Sequence, residues 1–128
     1  MVIDSSALIA ILFEEPDASV YAAAILSDVT RLMSATTLVE VSLVASRKRQ
    51  PDPIAAVDGL ISRLQIVVVP FDEDQAKLAR DAFQRYGKGR DRAGLNFGDC
   101  FSYALAKQTG ERLLFKGNDF KHTDIGIA

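Results

Sequence analysis

Met1-Val2-Ile3-Asp4-Ser5-Ser6-Ala7-Leu8-Ile9-Ala10-Ile11-Leu12-Phe13 opens the chain with three apolar residues, one acid and a run in which Ala7, Leu8, Ile11 and Leu12 share one helical face. This reads as a buried strand ending at Ile3, followed at once by a helix. The same step recurs downstream. Arg31–Ala35 reads as a short strand feeding a helix over Thr36–Arg49, which Pro51-Asp52-Pro53 stops. Ile66–Val69 is the clearest strand, β-branched and closed by Pro70, and it leads into an amphipathic helix over Asp72–Tyr86 with Ala76, Ala79 and Phe83 turned inward. Asn96–Gln108 reads as a helix carrying Phe101, Ala104 and Leu105 and ended by Gly110. Arg112–Phe115 is a fourth strand, with a short fifth near Ile125–Ile127. Two more helices fill the first half, from Pro16-Asp17 to about Ser27 and over Pro53–Leu64, where Pro53 suits a first turn.

Apolar strands alternating with helices imply a mainly parallel sheet of four to five strands covered on both faces, a three-layer α/β/α sandwich. The 128 residues, without repeat or linker, are expected to form a single domain over 1–128. In such folds ligands gather beyond the carboxyl ends of the strands, where strand order reverses. Function is therefore to be sought just after each strand.

Composition narrows the classes. The single cysteine, Cys100, excludes an intramolecular disulfide framework and gives no zinc pattern; on the helix it reads as a packing residue. The apolar runs fall short of the ~20 residues of a membrane-spanning helix. The opening residues lack the basic start of a signal peptide, so a cytoplasmic protein is expected. A net charge of −2 does not advertise a polyanion binder. Basic residues nevertheless cluster at Arg47-Lys48-Arg49, at Arg85, Lys88, Arg90 and Arg92 around the glycine- and arginine-rich loop Gly87–Gly94, and at Lys116 and Lys121.

Four acids stand where that topology puts a site. Asp4 follows the first strand, Glu40 lies in Thr37-Leu38-Val39-Glu40, Asp99 in Asn96-Phe97-Gly98-Asp99, and Asp119 in Lys116-Gly117-Asn118-Asp119. Each has an ordinary use. Asp4 and Asp99 can serve helix caps, Glu40 fits a capping box with Thr37, and Asp119 suits a turn. Their common edge of the sheet is what singles them out, although Asp99 is placed there only by inference, since its helix follows a loop. Carboxylates crowded together repel, and a divalent cation removes that penalty. With no histidine or cysteine in the group the donors are hard oxygens, which suit Mg²⁺ or Mn²⁺ and the hydrolysis of a phosphodiester backbone.

Val2-Ile3-Asp4-Ser5-Ser6-Ala7-Leu8 resembles the opening of PIN-domain proteins, and Thr37-Leu38-Val39-Glu40-Val41 is similar to their second acidic motif. Residues 95–106, Leu95-Asn96-Phe97-Gly98-Asp99-Cys100-Phe101-Ser102-Tyr103-Ala104-Leu105-Ala106, resemble the third motif of VapC toxins, and Leu113-Leu114-Phe115-Lys116-Gly117-Asn118-Asp119-Phe120 resembles the fourth. The resemblance covers the whole chain, in order. It implies a three-layer fold, Mg²⁺- or Mn²⁺-dependent endoribonuclease activity, a homodimer, and neutralisation by a VapB-like antitoxin. Carried over, Asp4 and Asp99 would be the principal metal ligands, and Glu40 a third acid that binds metal or orients the attacking water. Family members often carry an acid two positions before Asp119, where this chain has Gly117, and Asn118 offers only an amide. Asp119 is thus left to act through water or at a second metal.

Ser5, Thr36, Asn96 and Asn118 could hydrogen-bond metal waters or fix carboxylate rotamers, and the first three could simply cap helices. Arg85, Lys88, Arg90, Arg92 and Lys116 are candidates for RNA phosphates. His122, the one histidine, reads as an exposed loop residue. The stretch Val20–Leu26 is apolar over more than one helical face and suits either the core or a partner's groove. A receiver-like phosphoryl-transfer domain fits less well, because Asp4 stands alone and Pro70-Phe71 follow the third strand. A PIN-type nuclease of RNA processing, or a non-catalytic RNA- or protein-binding module on the same scaffold, is the alternative reading.

Overall fold

A computed structural model describes residues 1–48 and 51–128, so Arg49 of the first basic cluster lies outside the described residues. The chain runs β1 (Val2–Ile3), α1 (Ser5–Leu12), α2 (Ala18–Ser27), β2 (Leu32–Ser34), α3 (Ala35–Ser46), α4 (Pro53–Arg63), β3 (Val67–Val69), α5 (Glu73–Tyr86), α6 (Phe97–Thr109), β4 (Leu113–Leu114) and a 3₁₀ turn at Asp119–His122. All four strands are parallel, in the order β3-β2-β1-β4. The α/β sandwich read from the alternation is the fold observed.

Successive residues of β1 face opposite sides of the sheet, as the pleat requires. Ile3 packs with Leu8, Ile25, Met33, Val41 and Leu60 under α1 to α4, whereas Val2 packs with Leu95, Tyr103, Leu105, Leu113 and Phe120 under α5 and α6. The sheet is thus buried on both faces at its centre. The edge is different: Val67 of β3 is 58% exposed, although it belongs to the most apolar strand of the sequence.

Strand order reverses beside β1. The chain steps outward through β2 to β3 and then returns to the other side of β1 as β4. The carboxyl ends of β1 and β4 flank this switch point, Asp4 follows one and Lys116–Asp119 follow the other.

Three expectations need correction. The fifth strand is one parallel bridge, Leu113 to Ile127, fastened by Leu113 N–H to Gly126 O (2.8 Å) and Ala128 N–H to Leu113 O (3.0 Å). Helix α3 ends at Ser46, and Arg47 and Lys48, expected within it, lie beyond its end. Phe83 is not an inward residue of α5. Gln75, Ala79 and Ala82 take the buried positions, and the Phe83 ring lies over Gly87, 2.7 Å from where a Cβ there would stand.

Candidate active site

Asp4, Glu40, Asp99 and Asp119 line one cleft of ≈ 320 Å³, together with Ser5, Ser6, Asn96 and Lys116. A larger groove of ≈ 960 Å³ lies between α5 and α6, but Phe71, Phe83, Phe97 and Phe101 make it apolar, and the acids are not in it. The acids meet in the smaller cleft.

Asp4 caps α1 and is also anchored from across the fold. Its Oδ2 accepts from Ser6 N–H (3.0 Å) and Ser6 Oγ (2.6 Å), and its Oδ1 accepts from Ser102 Oγ on α6 (2.6 Å). Ser6 Oγ in turn accepts from Lys116 N–H at 2.9 Å, which ties the loop after β4 to the residue after β1. Sequence reasoning misses both serines. Ser102 carries a signal: it lies three residues beyond Asp99, one helical turn away on the same face.

Asp99 keeps its cap as well as its place in the cleft. Asn96 Oδ1 accepts from Asp99 N–H and Asp99 Oδ2 accepts from Asn96 N–H, each at 2.9 Å, closing a capping box. Burial pushes the Asp99 carboxyl up to about 7 against the pull of the Asn96 amide, and the charges of Asp4, Asp119 and Glu40 push the same way.

Glu40 overturns its ordinary explanation. The cap of α3 is Ser34, which accepts from Thr36 N–H, so Glu40 sits in the helix interior and closes no capping box. Burial, and then the charge of Asp4, hold its carboxyl above the usual glutamate range, with the Ser5 hydroxyl pulling the other way. Its Oε2 is buried without a hydrogen-bond partner. Asp119 opens the 3₁₀ turn after β4 and reaches the cleft from an exposed position.

The remaining candidates divide. Ser5 and Asn96 line the cleft, Thr36 hydrogen-bonds Ser34 (2.7 Å) on its flank, and Asn118 is an exposed turn residue outside the lining. Lys116 lines the cleft, but its ammonium is held by Asp17 (2.8 Å) and by Glu15, whose hydrogen bonds raise its pKa and keep its charge paired with them. Arg85, Lys88, Arg90 and Arg92 are exposed and lie outside the lining, and Arg85 is engaged by Asp81 and Asp124. His122 is exposed, and Cys100 is buried, its thiol pushed up to about 11 by burial and by Asp99.

Among the described residues no three histidine, cysteine or acidic side chains are drawn together tightly enough to hold an ion unaided. The donor set still fits a hard divalent cation. It is all oxygen, it includes one orphaned carboxylate oxygen, and burial and then like charge push the pKa of one acid up to about 7. Mg²⁺ keeps several waters and uses one or two carboxylates together with a substrate phosphate, so it needs no closed cage.

A family model described as PIN domain matches residues 1–126. Ribonuclease VapC30 of Mycobacterium tuberculosis is 50% identical over 128 residues, covering 100% of this chain and 98% of the relative. Ribonuclease VapC of Mycolicibacterium smegmatis is 49% identical, covering 100% and 99%. Among solved structures, Mycobacterium tuberculosis VapC20, a sarcin-ricin-loop-cleaving toxin, superposes with a TM-score of 0.79 at 15% identity over 99% of this chain and 97% of that one. A toxin–antitoxin complex from Klebsiella pneumoniae gives 0.73 at 17% identity over 99% and 95%. Identities this low speak to the fold alone.

Proposed function

The chain belongs to the PIN-domain family, in its VapC branch of toxin ribonucleases, and from that membership we propose that it is an Mg²⁺- or Mn²⁺-dependent endoribonuclease restrained by a cognate VapB-like antitoxin. The observation that carries the reading is the meeting of Asp4, Glu40, Asp99 and Asp119, from four separate parts of the chain, in one cleft at the switch point of the sheet.

Asp4 and Asp99 would hold the cation. When bound, it supplies positive charge that polarises the phosphodiester and stabilises charge on the leaving oxygen. Ser6 and Ser102 fix the rotamer of Asp4, as donors behind a ligand do. Asn96 does the same for Asp99. Glu40 Oε2, free of a partner, orients the attacking water and takes its proton. Asp119, exposed at the rim, acts through water or at a second cation.

Two surfaces suit the partners. Helix α2 buries only Ile25 and leaves Val20 and Leu26 exposed, with Val29 98% exposed just beyond it, an apolar face fit for an antitoxin segment. Val39, Leu43 and Phe97, the last 80% exposed, form a second face fit for another copy of the chain. No helix among the described residues is long and apolar enough to cross a membrane, and we place the activity in the cytoplasm.

The test uses purified protein, a pool of cellular RNA, and Mg²⁺ or Mn²⁺ against a chelator. Cleavage is expected only with the cation, and Asp99→Asn is expected to abolish it. Cleavage that persists in the chelator, or in a folded Asp99→Asn variant, overturns the proposal. Mn²⁺ is also expected to raise the melting temperature, and Asp4→Asn to blunt that rise.

A further inference from the structure

We propose that Gly98 is a positioning residue for Glu40: its missing side chain is the space in which the Glu40 carboxylate lies. The proposal rests on the nuclease reading for its functional arm, but its steric arm does not depend on it.

Nothing in the backbone asks for glycine at this position. Gly98 lies in the first turn of α6, and it is not among the glycines with positive φ. An ordinary residue could adopt its conformation, and alanine is the better helix former. What excludes a side chain is Glu40. A Cβ built on Gly98 would stand 2.6 Å from Oε1, 2.6 Å from Oε2 and 2.8 Å from Cδ of Glu40. These are the nearest atoms to it, and they are the far end of a flexible side chain, not backbone. A methyl group would therefore move the carboxylate and leave the fold in place.

The displaced group is the one with most to lose. Glu40 projects from α3 toward the cleft, with its Oε2 buried and unpartnered. The carboxylate lies instead against the first turn of α6, the positive end of a 13-residue helix. Glycine thus allows α6 to present both Asp99 and the seat of Glu40 within two consecutive residues.

The experiment is a double-mutant cycle on the full chain in chelator, with Gly98→Ala made in the wild-type and Glu40→Ala backgrounds. With Glu40 trimmed, Gly98→Ala is expected to raise the melting temperature by a few degrees through helix propensity alone. With Glu40 intact the gain is expected to be smaller or absent, because the methyl group must expel the carboxylate. In the functional arm, Gly98→Ala is expected to lower kcat for RNA cleavage at least about tenfold with little change in KM, to shrink the Mn²⁺-induced rise in melting temperature, and to recover part of its kcat when combined with Glu40→Asp, whose carboxylate is one methylene shorter. Additive melting shifts, or wild-type kcat in Gly98→Ala, overturn the proposal. So does unfolding of Gly98→Ala in both backgrounds, which makes Gly98 a structural residue. A wild-type protein that cleaves no RNA defeats the nuclease reading alone, and the cycle in chelator still decides the seat of Glu40.

Discussion

Two clusters of carboxylate chemistry sit at opposite ends of α6, and they obey opposite rules. At the first turn Asp99 faces other acids, and burial with like charge pushes its carboxyl up to about 7. Toward the last turns Asp124 packs against the helix and accepts from Tyr103 Oη (2.7 Å) and Lys107 Nζ (2.9 Å), with Arg85 at 3.4 Å. Burial works against ionisation there too, yet the Lys107 and Tyr103 hydrogen bonds and the charges of Lys107 and Arg85 bring Asp124 down to about 2. One cluster is compensated within the fold and the other is not. Compensation is what a structural ion pair needs. An uncompensated cluster stores repulsion that a proton or a cation from outside relieves, which is why perturbed groups in clefts point to function.

The largest effect should come from exchanging charge for amide at each end. Asp99→Asn is expected to abolish cleavage, because an amide binds a hard cation far more weakly than a carboxylate does. In chelator its melting temperature should match or exceed the wild type, because an amide oxygen can still accept from Asn96 N–H and one repelling charge is gone. Asp124→Asn should do the reverse. Tyr103 is almost fully buried, and weakening its hydroxyl's partner should cost about 1–2 kcal/mol while leaving cleavage intact. Melting curves and a gel assay on both variants check the pair. Equal stability losses at the two ends would break the comparison.

The pH dependence of the metal-free protein follows next. Asp99 is raised in the folded state, so its contribution to stability is complete below the ordinary value of 3.8 and is lost as pH rises toward about 7. Glu40, raised for similar reasons, adds to the same flank. Asp124 is depressed, so its contribution is present above 3.8 and lost as pH falls toward about 2. Stability in chelator should therefore peak on the acid side of neutrality. Asp99→Asn should flatten the upper flank and Asp124→Asn the lower one. Thermal melts across pH test this, and an upper flank unchanged in Asp99→Asn would remove the repulsion argument.

The contrast also explains what can be read from the chain alone. Alternating apolar runs and helical periodicity give the layers, and the edge of the sheet beyond its strands points to Asp4, Glu40 and Asp119, with Asp99, whose helix follows a loop, placed there by inference; all four reach the cleft. Partners distant in sequence are invisible. The Asp4–Ser102 bond spans 98 residues, the Ser6–Lys116 bond spans 110, and Gly98 is explained only by a side chain from α3. Phe83 misleads because helical period predicts which face turns inward but not where a facing helix leaves a groove. The fifth strand fails because Ile127 makes only one bridge with β4. A capping box nearly explains Glu40 away, but Ser34, two residues upstream of the expected helix start, already forestalls it.

The smallest effect concerns the basic residues, which divide along the same line as the acids. Arg85 is committed to Asp81, Asp124 and the Tyr86 hydroxyl, so its charge is spent within the fold. Arg90 lies over the Phe83 ring at 5.6 Å, and neither it nor Arg92 joins an ion pair among the described residues. Cations that the fold leaves uncommitted are the ones available to a polyanion. Neutralising Arg90 and Arg92 is expected to weaken RNA binding and to reduce the slope of log affinity against log salt by about 0.7 for each phosphate no longer neutralised. Arg85→Ala should leave that slope alone and lower the melting temperature instead. Binding titrations across salt separate the two, and a slope that moves with Arg85 but not with Arg90 and Arg92 would place the RNA along α5 rather than along the loop.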